Sequence, residues 1–159
     1  MQTKFAKAAL WISVVLYVMC LTQDGYYIDG PDPTAWSPAY GLLISGWLGL
    51  FVGVFAWLAN PLLFASWFLL AISKHRAAFL VSLGAFLFAM SFLLHSEVIS
   101  STKPTYSKII GYGIGYWLWI ASVLILVVGA GVLTFRSNTD ARTEPCADEL
   151  ERYAVTNEV

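Results

Sequence analysis

No Asp, Glu, Lys, Arg or His interrupts the chain from Gly41 to Ser73, and Lys74, His75 and Arg76 end the run abruptly. As one helix, at about 1.5 Å per residue, it would extend about 50 Å, against a bilayer hydrocarbon core of about 30 Å. It is too long for a single plain span. Asn60-Pro61 leaves only Leu62 to Ser73 beyond it, roughly 18 Å of helix, which is too short for a second span. A chain carrying such a segment has few ways to fold in water.

The other charges obey the same sorting. Only 12% of residues are charged and 58% are hydrophobic, and soluble domains carry roughly twice that charged share. Every Asp, Glu, Lys and Arg lies outside four apolar stretches, Ala8–Gln23, Gly41–Ser73, Ala77–Leu94 and Ile109–Phe135. Placing one such charge at a bilayer centre costs about 2.5–3.5 kcal/mol on insertion scales. The pattern predicts an all-α integral membrane protein, a compact bundle of four transmembrane helices over residues 1–136. The expected spans are about 8–23, 41–73, 77–95 and 109–135, the second long and kinked at Pro61. Residues 137–159 read as a disordered acidic cytoplasmic tail with at most a short helix over Pro145–Tyr153.

Orientation follows from the basic residues. Lys4, Lys7, Lys74, Arg76, Arg136 and Arg142 fall on one side of a four-span topology, while Asp24, Asp29 and Asp32 fall on the other, where only Lys103 and Lys108 are basic and none lies between Asp24 and Tyr40. Lys and Arg near span ends favour the cytoplasm. Both termini are therefore expected inside, in a plasma membrane; the small size and short loops suggest a bacterial inner membrane. The N-terminal run resembles the start of a secretory signal peptide. Tyr17-Val18-Met19 supplies no small-residue cleavage pattern, so it is expected to stay as the first helix. Cys20 and Cys146 fall on opposite sides of that topology and are not expected to pair.

The outer loop Gln23–Tyr40 is rich in turn steps at Gly25, Gly30, Pro31 and Pro33, and Tyr26, Tyr27, Trp36 and Tyr40 suit a headgroup interface. Ser37-Pro38 reads as a helix N-cap followed by a proline at the first helical position. Ser45, Gly49 and Gly53, four apart, would share one helix face and allow close helix approach, as would Gly111 and Gly115 and the pair Ala85 and Ala89. The span serines Ser82 and Ser91 offer interhelical donors. Asn60 and Pro61 read as a kink with Asn60 bonded to a neighbouring helix, or as a break lining a binding cavity. Ser96–Lys108 reads as a short outer loop broken at Pro104.

Asp24, His95 and Glu97 form a possible outer polar site. A His and a carboxylate two residues apart can relay protons or begin a metal site, but zinc wants three or four ligands and too few are placed here. No metal or cofactor is expected. No Ser/His/Asp set, facing carboxylates, P-loop, H-E-x-x-H or Cys-x-x-C occurs in the apolar regions, and GYGIGY has the wrong spacing for a dinucleotide fingerprint. Basic residues are too few and too dispersed for nucleic acid. No ionisable group sits at mid-span, which argues against an ion pump. The sequence thus points to a non-enzymatic accessory, interaction or immunity-type protein acting on another membrane component. Its partners would be the lipid bilayer and another membrane protein or a second copy. A channel or transporter component is the alternative, ahead of a membrane-embedded enzyme using His95 and Glu97.

Overall fold

The computed structural model describes residues 2–30, 32–34, 37–99 and 106–156. Pro31, Trp36 and Pro104, given turn or interface roles above, lie outside the described residues, as does the side chain of Cys146. The fold is mostly helical. Among the described residues there are five α-helices rather than four: α1 Gln2–Leu21, α2 Ala39–Ser45, α3 Ala59–Ala71, α4 His75–Ser91 and α5 Ile114–Thr156. Three helical segments, Lys4–Leu21, His75–Leu94 and Ile114–Ser137, are long and apolar enough to cross a bilayer. Helix α1 packs on α5, α5 on α4, α4 on α3, and α3 returns to α1.

The tightest seam joins α1 to α5. Gly115, Ser122 and Gly129 are spaced by seven along α5, as are Ala6, Ser13 and Cys20 along α1. A seven-residue repeat keeps one narrow strip of a helix facing its partner. A Cβ on Gly129 would come within 2.7 Å of the Ala9 Cβ, and one on Gly115 within 2.7 Å of the Asp24 carbonyl, so only glycine permits the approach. Between them, Ser13 Oγ donates to the Ser122 carbonyl at 2.9 Å and Ser122 Oγ donates to the Ser13 carbonyl at 2.9 Å. Trp67 of α3 donates its indole N–H to Ser13 Oγ at 2.9 Å. Both serines are 0% exposed, so each hydroxyl is satisfied where water does not reach.

The expected long second helix is not one helix. Helix α2 gives way to a 3-10 stretch, Gly46–Val52, which ends at Gly53 with φ 84°; a second 3-10 turn, Phe55–Leu58, leads into α3. The chain reverses at Gly53, a conformation open to glycine at no steric cost. Val54 N–H closes the turn on the Gly49 carbonyl at 2.9 Å. Trp57 then folds back and donates to the Leu43 carbonyl at 2.9 Å, satisfying one acceptor left open by the end of α2. Pro61 is the third residue of α3, within the first turn, where a missing N–H breaks no intrahelical bond. The break therefore lies at Gly53 and not at Pro61. Ser45, Gly49 and Gly53 form no α-helical stripe: Ser45 bonds the Gly41 carbonyl and the two glycines shape the reversal.

Two further expectations change. Ser37 is not an N-cap; Pro38 holds that position, because the Ser37 hydroxyl donates to Asp24 Oδ1 at 2.6 Å. Ser82 and Ser91 bond back to Phe79 and Phe88 in their own helix rather than across to another. Ala85 and Ala89 are both buried, and the Tyr116 hydroxyl donates to the Ala89 carbonyl at 3.0 Å.

Both loops at one end join in a sheet that the all-α reading did not contain. Strands β1 Tyr26–Ile28, β2 Glu97–Ile99 and β3 Tyr106–Tyr112 pair antiparallel in the order β1-β3-β2. Tyr26 opposes Tyr112 and Ile28 opposes Ile109, with a bulge between Tyr27 and Ile28. β-branched and aromatic residues favour this pleated, half-buried setting, and Gly111 and Gly113 discourage helix. Residues 109–112, expected to open the last span, are strand for that reason. Gly111 accordingly lies in β3 against Tyr27, not beside Gly115 on a helix. Helix α5 starts where the Gly115 N–H meets the Asp24 carbonyl at 2.9 Å. At its other end the backbone stays helical to Thr156, where the sequence suggested a flexible tail. Ala141, Glu144, Ala147, Leu150 and Glu151 are good helix formers, and extending an existing helix needs no new nucleus.

At the opposite end, α3 stops in a tight turn. Lys74 N–H bonds the Leu69 carbonyl at 2.9 Å and Ser73 N–H bonds the Leu70 carbonyl at 3.1 Å, with Ser73 at φ 61°. This is the glycine-type helix ending made with serine. Ser73→Gly is expected to raise stability by about 0.5–1 kcal/mol by removing the Cβ penalty, and Ser73→Val to lower it. Thermal unfolding of the purified variants in detergent checks both.

Candidate functional site, a cavity at the sheet end

The reversal at Gly53 leaves space beneath it. A cavity of about 400 Å³ lies between the α2–α3 hairpin and the sheet-end portions of α1 and α5. That volume falls within the range of small-ligand pockets. Its wall is mainly apolar: Leu42, Leu43 and Trp57 from the hairpin, Phe92 after α4, and Tyr116 and Trp119 from α5. Leu48 and Val52 line it near solvent and are exposed. Gly46 belongs to the same wall, and a Cβ there would sit 2.6 Å from the Trp57 ring.

Four side chains with polar groups carry the interest, Asn60, Tyr17, Tyr26 and Trp119. Asn60, on the first turn of α3, lines the cavity and is only 8% exposed. Its Oδ1 accepts from the Tyr17 hydroxyl at 3.1 Å; its amide NH₂ has no partner among the described residues. Tyr17 is held in turn by edge-on contacts with Phe64 and Trp67, ring centres 5.5 Å away in each case. Tyr26 also reaches the cavity, from β1, and burial pushes its phenol up to about 12. Burial raises Tyr112 as well. The Trp119 indole N–H is buried and finds no acceptor, at a cost of about 1–3 kcal/mol for an unmet donor.

The residues singled out in sequence are dispersed by the fold. Asn60 is at the cavity, with Pro61 next to it on α3; Ser45 and Gly49 line the hairpin side. Gly53 makes the turn, Gly111 lies in the sheet and Gly115 packs on α1. Asp24 is bound to Ser37, while His95 Nδ1 lies 3.1 Å from the Ser91 carbonyl with its ring stacked on Phe92. Glu97 is exposed and opposes Lys108 across the β2–β3 pair. No group of three or more His, Cys, Asp or Glu able to hold a metal occurs among the described residues. Trp57, Trp119 and Tyr17 escape a motif search. The signal for them is the rule that a buried Trp or Tyr needs a hydrogen-bond partner; Trp57 and Tyr17 find theirs in Leu43 and Asn60, and Trp119 does not among the described residues.

No protein-family model, curated protein or solved structure matches the chain.

Tyr26 supplies a pH test. An exposed phenol ionises near 10, so raising it to about 12 in the folded chain makes the unfolded form lose its proton first. Stability of the sheet end is expected to be full below pH 10 and to fall as pH rises toward 12. Tyr26→Phe is expected to reduce that loss, leaving the share of Tyr112, and near-ultraviolet circular dichroism against pH reads it.

Proposed function

We propose that the chain is an integral membrane protein without catalytic machinery, with four helices, α1, α3, α4 and α5, embedded in a plasma membrane. A bacterial inner membrane suits its size and short loops. Apolar side chains face outward along these helices, among them Trp11, Phe68, Leu80, Leu87 and Val128, and in water such a surface would drive association. Both termini lie in the cytoplasm on this reading, because Lys4, Lys7, Lys74, Arg76 and Arg136 flank the ends of the helices away from the sheet. Among the described residues no third His, Cys, Asp or Glu joins His95 and Glu97 in a metal-holding group, and a membrane-embedded enzyme using that pair is the third reading.

Within the membrane the protein acts as an accessory or immunity-type subunit on another membrane component. The observation that carries this is the α2–α3 hairpin. Ile44, Trp47, Phe51 and Phe55 are exposed along it among the described residues, Phe51 at 79%. Trp47 and Phe51 pair edge-on with ring centres 6.1 Å apart. Aromatic anchors of this kind are enriched where proteins meet. A channel or transporter component is the second reading, favoured by Asn60 at the cavity. In a single copy the fully buried Leu63, Val123, Leu126 and Leu133 close the bundle beyond it, so a path would need an oligomer.

A photo-crosslinking residue at Phe51, in the full chain in native membranes, is expected to yield one discrete adduct with a different protein. Adducts to lipid alone would remove the accessory reading. Adducts between copies would move it to the oligomeric path, where Asn60→Ala is expected to lower flux through reconstituted vesicles at least severalfold without loss of folded protein.

A further inference from the structure

The cavity combines a chain-sized apolar volume with two donors that find no acceptor among the described residues, the Asn60 amide and the Trp119 indole N–H. Asn60 is more than nine-tenths buried, its carbonyl oxygen is taken by Tyr17, and its NH₂ has no partner among the described residues. The Asn60 amide, at the cavity wall, is a donor with an acceptor still to take, and the fully buried Trp119 indole N–H is a second. Water is a poor occupant of the rest of the space, since Leu42, Leu43, Phe92 and Trp57 offer it no bonds. No cationic or anionic side chain lines the cavity, so a charged group has nothing to pair with inside it.

We propose that the cavity holds one lipid-like molecule, its apolar chain against the hairpin and a neutral carbonyl oxygen accepting from the Asn60 amide. The chain enters past the exposed rim at Leu48 and Val52. An ester of a bilayer lipid and a membrane quinone both present such an oxygen on an apolar body. The inference rests on the membrane reading above and adds a ligand to it.

The test uses the full chain purified in detergent and three probes of matched chain length: a fatty-acid methyl ester, an alkyl benzoquinone and an alkane. Binding is read by native mass spectrometry and by tryptophan fluorescence. The expected result is one ester or one quinone per chain, the tighter of the two naming the source. Asn60→Leu is expected to weaken the carbonyl probe about fivefold to tenfold, the worth of one neutral hydrogen bond, and to leave the alkane unchanged. Leu63→Ala, in the bundle core outside the cavity lining, lowers packing and is expected to retain the preference for carbonyl over alkane. This separates recognition from a general loss of packing. Leu48→Trp, at the rim, is expected to reduce all three. Equal binding of ester, quinone and alkane to the wild-type chain, or no binding of any, overturns the proposal. Recovery of the chain in the soluble fraction without detergent would instead overturn the membrane reading.

Discussion

The architecture depends on how closely α1 and α5 approach. Ser13 and Ser122 exchange hydroxyl-to-carbonyl bonds across the contact, and neither could reach unless the neighbours at Ala9, Gly115 and Gly129 were small. Where solvent is apolar there is little hydrophobic gain in joining two apolar helices. Close backbone contact and interhelical hydrogen bonds must hold them. This seam supplies both together. Trp67 extends the network to α3 through Ser13, and one turn along α1 Tyr17 reaches Asn60. Two hydrogen-bonded layers thus tie α3 to the α1–α5 pair, and the upper one faces the cavity.

The sheet end follows from the same seam. Bringing the end of α1 beside the start of α5 places Asp24 against Gly113 and Gly115, and β1 then lies next to β3. A short loop on its own would leave its amides and carbonyls to water. Pairing two loops satisfies them and buries Tyr26, Ile28 and Val98 against Phe92 and Leu42. The hairpin is fixed from below by α3 and from the side by Trp57, so the volume beneath it is a product of neighbouring contacts rather than of any motif.

How much of this was legible in the sequence depends on the range of the signal. Charge sorting located the apolar helices, because each boundary is a local change in composition. It failed at 41–73, where composition is uniform and geometry decides: one positive φ at Gly53 outweighs the proline eight positions later. It failed again at 109–112, since an apolar strand and an apolar helix look alike until a partner strand is known. Asn60 stood out as a lone polar group in an apolar run. Ser13 and Ser122 did not, because a serine in such a run is ordinary and only the seven-residue spacing on both helices marks the pair. The cavity was invisible for a further reason, that its walls come from five separated segments.

The strand order β1-β3-β2 has a temporal side. Synthesis delivers β1 well before β3, and α1 well before α5, its partner in the tightest seam. Until α5 arrives, Ser13 has lost the partner for its hydroxyl and Tyr26–Ile28 is an unpaired strand edge, a template for wrong partners. Contacts so distant along the chain are slow to form and leave intermediates exposed. The α1–α5 seam and the sheet therefore close together, and only after β3 and α5 have both followed the rest of the bundle.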